Sequence, residues 1–175
     1  YNIISMKIGI DCRTILNPEK GEGAGVGHYI YQLIRHLLKI DKKNSYVLFF
    51  DRSVEKRKLK KFKQKNVFIK FFPFYQYHKL MPERYINFLV NATLAREKLD
   101  ILHLPNPFPC CRYQGPTVIT VHDLSFYKFP ELFAVQNATD LKKTVPGVLK
   151  KAKKIIAVSK STAKDLKELL VLKPK

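Results

Sequence analysis

Short unbroken apolar runs alternate along this chain with longer stretches in which apolar residues recur every three or four positions. The runs fall at residues 6–12, 46–50, 67–72, 101–104, 117–121 and 154–158. Each has the length of a β-strand, and their continuous rather than alternating hydrophobicity is that of strands covered on both faces. The helical pattern appears first over residues 25–39, with Val26, Ile30, Leu33, Leu37 and Ile40 on one stripe. It returns over 82–98, where Tyr85, Phe88, Leu89, Ala92 and Ala95 line a face and Pro82 suits the helix start. A third helical region covers 135–153, where Pro146-Gly147 must kink it or restart it. The last helix reaches residue 172, with Ser159 or Ser161 as its cap. The segments 110–116 and 126–133 read as loops. The order β-α-β-β-α-β-β-α-β-α predicts an α/β fold: a Rossmann-like, open and mostly parallel sheet with helices on both faces. There is no internal repeat.

Between the first strand and the first helix lies Gly21-Glu-Gly-Ala-Gly-Val-Gly-His28. A strand, a glycine-rich turn and a helix N-terminus together present backbone N–H groups to an anion, and glycines let a ligand approach the backbone closely. The even spacing of Gly21, Gly23, Gly25 and Gly27 is not the G-x-G-x-x-G dinucleotide fingerprint, and no P-loop Lys-Ser/Thr pair follows. An anion or a sugar at this helix start remains the chemical expectation. The alternative is a solvent-exposed loop whose glycines only pack.

Two further groups belong to the carboxyl edge of the sheet, where open α/β folds bind ligands. Asp11 and Arg13 flank the end of the first strand; they either line that edge or simply pair with each other. His122 and Asp123 follow the fifth strand. The imidazole is suited to hydrogen bonding with a substrate hydroxyl or to proton transfer, and Asp123 either orients it or bonds Ser125. The bland alternative is a capped turn. The glycine turn and His122 are expected to share one concave rim. His103, inside a strand, reads as a hydrogen-bonded core residue. No histidine or cysteine spacing makes a metal site.

Composition changes this picture in one respect. The 175 residues carry 33 Lys and Arg against 14 Asp and Glu, a formal charge of +19. The densest block, 52–65, holds eight basic residues and Glu55, with Leu59 and Phe62 as a thin apolar edge of a short helix or loop. Nucleic acid, an anionic membrane surface, phosphorylated substrates or a merely lysine-coated surface would each account for it. No zinc-finger, helix-turn-helix or RNA-binding motif accompanies the charge, so specific nucleic-acid binding is not expected. Three cysteines, two of them adjacent, form no disulfide framework and fit a reducing, cytoplasmic setting. No run reaches the length of a membrane span and no signal-peptide pattern opens the chain. Met6-Lys7-Ile8 reads as the start of the domain, which leaves residues 1–5 as an expression remnant or upstream sequence.

In order along the chain, Met6-Lys-Ile-Gly-Ile-Asp-Cys-Arg13, Gly23-Ala-Gly-Val-Gly-His-Tyr29, Asn44-Ser-Tyr-Val-Leu-Phe49, Thr120-Val-His-Asp-Leu124, Pro130-Glu-Leu-Phe133 and Ile155-Ile-Ala-Val-Ser159 through Asp165-Leu166 resemble one family. It is the family 4, or group 1, retaining glycosyltransferases built from two facing Rossmann-like domains, the GT-B type. The likeness covers nearly the whole chain after Met6. It implies that residues 6–175 are the N-terminal, acceptor-side domain, and that the donor-binding domain with its glutamates is absent. It further implies sugar transfer from a nucleotide sugar with retention, without a metal or other cofactor, to a glycan or glycolipid acceptor. By the resemblance, His122 is the catalytic histidine that contacts the transferred sugar. Gly23, Gly25, Val26, Gly27 and His28 form the loop that approaches donor phosphates and acceptor. Asp11, Arg13, Asp123 and Ser159 support the site. The expectation is a fragment inactive by itself, with the 52–65 block and residues 150–154 available to anionic lipid at the inner membrane face. The rival reading is a noncatalytic Rossmann-like module that binds a phosphate or another anion in its glycine turn.

Overall fold

The computed structural model describes residues 5–16, 25–72, 83–107 and 113–170. The chain divides into two compact units, one made of residues 1–103 and 111–115, the other of 104–110 and 116–175.

In the first unit four parallel strands lie in the order β3-β2-β1-β4: β1 (Lys7–Asp11), β2 (Ser45–Asp51), β3 (Val67–Phe72) and β4 (Ile101–Leu104). The register sets Ile10 beside Leu48 and Leu48 beside Ile69, so these side chains share one face. Helix α1 (Gly25–Ile40) covers that face with Ile30, Tyr31, Ile34 and Leu38, and Leu59 and Phe62 extend the same core. The predicted stripe is therefore displaced. Leu33 and Leu37 are only half-buried and Ile40 is exposed, because Tyr31, Ile34 and Leu38 point at the sheet instead.

The opposite face carries Gly9, Val47, Phe49 and Phe72, with the Phe49 and Phe72 rings stacked at 5.1 Å. Gly9 has a specific reason to be glycine. A Cβ there would lie 2.5 Å from Leu99 Cδ1 and 3.1–3.2 Å from Leu102 and Phe49 side-chain carbons. Helix α2 (Glu83–Arg96) buries Ile86, Val90 and Leu94, at the i, i+4 spacing of one face. The predicted face of α2 is corrected here. Tyr85, Phe88 and Ala95 are exposed and Leu89 and Ala92 only half-buried, because the adjacent stripe of smaller aliphatic residues was the one that packed. At the end of α2, Glu97 accepts from Lys7 at 3.2 Å and Lys70 at 2.9 Å. Burial opposes its charge, but the two ammonium groups outweigh that and hold its pKa below the usual range.

Helix α1 gives way to β2 at the 41–44 turn. Asp41 accepts from the Lys43 and Asn44 backbone N–H groups, from Asn44 Nδ2 and, at 2.6 Å, from the Tyr46 hydroxyl. The charge-dense block contains a short 3-10 helix, Lys56–Phe62. Its apolar edge is wholly committed to the core, since Leu59 and Phe62 are buried.

The second unit holds β5 (Thr117–Val121) and β6 (Lys154–Ala157), again parallel. With them are α3 (Ser125–Lys128), a 3-10 turn Pro130–Leu132, α4 (Val135–Lys151) and α5 (Lys160–Leu170). The predicted loop at 126–133 is thus partly helical. Helix α4 runs through Pro146 as one element. Proline has no N–H for the carbonyl four residues earlier, which is that of Lys142. The Tyr127 hydroxyl donates to that oxygen instead, at 3.1 Å. Two of the six strands depart from continuous burial: Phe68 and Lys70 of β3, and Lys154 and Ile156 of β6, are exposed. In its unit, each pairs with a single neighbour.

The fit at Gly9 makes a direct prediction. Gly9→Ala should lower stability by about 1–3 kcal/mol, the usual cost of overfilling a packed core. A fall in the urea midpoint at unchanged slope measures it; an unchanged midpoint would show that Leu99 moves aside freely.

Candidate functional site

The residues singled out in the sequence form two clusters, one in each unit. In the first unit, Asp11 closes β1 and Arg13 follows it. The Arg13 Nε lies 3.0 Å from both Asp11 oxygens, its Nη2 lies 2.5 Å from Oδ2, and its backbone N–H donates to Oδ1 at 3.1 Å. The guanidinium also stands 4.8 Å over the Phe72 ring and is nearly buried. Of the two readings of this pair, mutual pairing is the one observed. The guanidinium and the carboxylate are thus held against each other in a buried bidentate pair.

Cys12 sits between them, fully buried, its thiol donating to Ile10 O at 3.3 Å. Burial, reinforced by the Asp11 charge, pushes that thiol well above its ordinary value, so it is no nucleophile. Gly21, Gly23, Cys110 and Cys111 lie outside the described residues. Gly25 opens α1 with φ +71°, a conformation that favours glycine, and nothing lies within 4 Å of where its Cβ would be. Val26 and His28 are half-buried and Gly27 is buried against the core. The helix therefore begins in the glycine turn, where the sequence places it, with its first N–H groups unpaired within the helix.

His103 is packed into β4, opposite Ile10 of β1. Burial pushes its pKa from an ordinary 6.5 down to about 4, so the imidazole is neutral at physiological pH.

In the second unit, His122 follows β5 at the carboxyl end of the strand. Its Nε2 lies 2.9 Å from Pro105 O. A carbonyl can only accept, so Nε2 carries a proton and donates it to Pro105. Asp123 bonds Ser125 rather than His122: its Oδ1 accepts from the Ser125 N–H at 2.9 Å and from the Ser125 hydroxyl. That is a capped turn leading into α3. Ser159, not Ser161, caps α5, with its Oγ accepting from the Thr162 N–H at 3.0 Å. The same turn yields two residues that the sequence reading missed. Thr162 donates from Oγ1 to His122 O at 2.8 Å, and Asp165 pairs with Lys128 of α3 at 2.6 Å. Their signal was faint: polar residues on the inner side of a helix otherwise buried through Leu166.

Among the described residues, no group of three or more His, Cys, Asp and Glu could hold a metal, and no helix is long and apolar enough to cross a membrane.

With the geometry in place, comparison with known proteins is informative. The family model described as Glycosyltransferase Family 4 matches residues 23–175. Among solved structures, the chain is similar to a 2.2 Å crystal structure of a candidate UDP-N-acetylglucosamine 2-epimerase from Listeria monocytogenes. The match has a TM-score of 0.55 at 14% identity, and it covers 94% of this chain and 42% of that one. At that identity the likeness is one of fold, and it agrees with the Rossmann-like α/β reading of the sequence. No curated protein matches.

The buried imidazole sets the acid response. Between pH 6.5 and about 4 the unfolded chain binds a proton at His103 that the folded chain does not. Stability therefore falls as pH drops through this window, by on the order of 3 kcal/mol from this group. Urea melts from pH 7 to pH 4 should show a shallower loss for His103→Gln than for the wild type. Parallel curves would mean that the site stays unprotonated in both states or charges at no cost.

Proposed function

The chain belongs to Glycosyltransferase Family 4, and from that premise we propose that it forms the acceptor-side half of an enzyme that moves a sugar from a nucleotide-sugar donor to an acceptor glycan or glycolipid, with retention of configuration. The observation that carries this reading is the family match over residues 23–175. The chain spans 42% of the length of the similar epimerase structure, so the complete activity is assigned to a longer polypeptide with a donor-binding half.

In this reading His122 is the catalytic residue. Its ring is held through Nε2 on the Pro105 carbonyl, and in this role it contacts the transferred sugar. The turn at Gly25, Val26, Gly27 and His28, with Gly23 before it, offers N–H groups at the start of α1 to donor phosphate or acceptor oxygens. Asp11 and Arg13 brace the end of β1, and Asp123 and Ser159 fix the segments around His122. The donor is a substrate and no metal is invoked. Departure of the nucleotide develops negative charge that one half alone does not neutralise, and transfer needs both substrates aligned. The isolated chain is therefore inactive.

The test uses labelled nucleotide sugars with the 175-residue chain and with the longer product of the same reading frame. Turnover by the longer protein only, reduced on the order of 100-fold by His122→Ala, is the expected result. A reading frame that stops at residue 175, together with phosphate binding and no transfer, would favour the noncatalytic anion-binding module.

The basic block supports a peripheral membrane contact for the same protein. Lys56, Arg57, Lys60, Lys61, Lys63 and Lys65 are exposed, whereas the apolar residues between them face inward. Such a surface can adsorb to anionic headgroups through its exposed lysines, so its binding is electrostatic. Sedimentation should show binding to anionic vesicles that is lost as salt is raised, and none to neutral ones. Salt-resistant binding, or equal binding to both kinds of vesicle, would refute it.

A further inference from the structure

We infer that Thr162, in the first turn of α5, is the positioning residue that aims His122; this rests on the role proposed for His122 above. The β5–β6 ladder ends where the Val158 N–H donates to Val121 O at 3.2 Å. One residue later the backbone leaves the strand, and its carbonyl, that of His122, accepts from a side chain forty positions away in sequence. That side chain is Thr162, whose Oγ1 lies 2.8 Å from His122 O and whose residue is only 4% exposed.

The protons can be placed. Thr162 has one hydroxyl proton, and it goes to the His122 carbonyl. The 2.9 Å contact between Ser159 Oγ and Thr162 Oγ1 must then be donated by Ser159. Ser159 Oγ in turn accepts the Thr162 N–H at 3.0 Å. The result is a closed sequence of donors, Thr162 N–H to Ser159, Ser159 O–H to Thr162 and Thr162 O–H to His122, with every hydrogen assigned. Such a chain gives the threonine hydroxyl one direction only.

The imidazole is thereby anchored from two sides. Thr162 holds the main chain of residue 122, and Pro105 holds Nε2 at 2.9 Å. With both in place the ring keeps its proton on Nε2 and a single orientation. A cap alone would need only Ser159. The threonine hydroxyl is additional to the cap and bonds to the candidate catalytic residue itself. Asp165, one turn further along α5, adds its 2.6 Å ion pair to Lys128, so α5 grips both ends of the His122–α3 segment.

The test reads the imidazole directly. In long-range proton–nitrogen spectra of the chain labelled at histidine nitrogens, wild-type His122 should show one tautomer with its proton on Nε2. Thr162→Ser should keep that pattern. Thr162→Val, and Thr162→Ala as the smaller change, should give a mixed tautomer signal while the melting transition remains cooperative. A wild-type proton on Nδ1 would overturn the proposal without any variant. So would an unchanged Nε2–H signal in a folded Thr162→Val or Thr162→Ala protein. In the longer enzyme, Thr162→Val should lower kcat on the order of ten-fold with little change in donor KM. A mixed tautomer with unchanged kcat would keep the anchor and overturn the catalytic meaning given to His122.

Discussion

Strand β2 bears the greatest constraint in the first unit. It hydrogen-bonds to β1 along one edge and to β3 along the other. Tyr46, Leu48 and Phe50 fill the space under α1, while Val47 and Phe49 fill the opposite side, and all five are at most 1% exposed. A strand in this position can carry no charge except at its ends, which is where Ser45 and Asp51 stand. It also dictates its neighbours. Phe49 is one of three side chains, with Leu99 nearest, that crowd Gly9 of β1, and Phe50 packs against Phe62 of the charged block at 5.7 Å. The lysine-rich segment is therefore part of the core as well as of the surface.

The strands were legible because burial on both faces leaves a compositional mark that does not depend on knowing the partner. The helices were legible as helices, but not in their orientation. Helix α1 has two overlapping apolar stripes, one through Leu33 and Leu37 and one through Ile34 and Leu38. Helix α2 likewise offers Tyr85 and Phe88 beside Ile86, Val90 and Leu94. Period alone ranks the stripes equally, and the choice belongs to the sheet that receives them. The exposed positions of β3 and β6 were hidden for the same reason: which face of a strand is covered depends on what packs against it.

For the candidate site, what could be read locally was read. The Asp123–Ser125 turn, the Ser159 cap and the Asp11–Arg13 pairing each join residues two or three positions apart, within reach of a sequence argument. The groups that hydrogen-bond His122 are distant in sequence. Pro105 lies seventeen positions away and Thr162 forty. One of them acts through a backbone carbonyl, which no side-chain motif encodes. The sequence could mark His122 as interesting, but which ring nitrogen holds the proton is a property of the fold.

The crossing of α4 by Pro146 has a bearing on descent. The carbonyl of Lys142 is served by a phenol from α3 rather than by its own helix. Without that phenol, it would have only water to turn to. An ancestor that acquired the imino acid before the aromatic hydroxyl would have passed through a weakened intermediate; the reverse order carries no such penalty, because a tyrosine near an intact helix costs little. Among kindred chains, position 146 should be free to hold proline chiefly where position 127 already holds tyrosine.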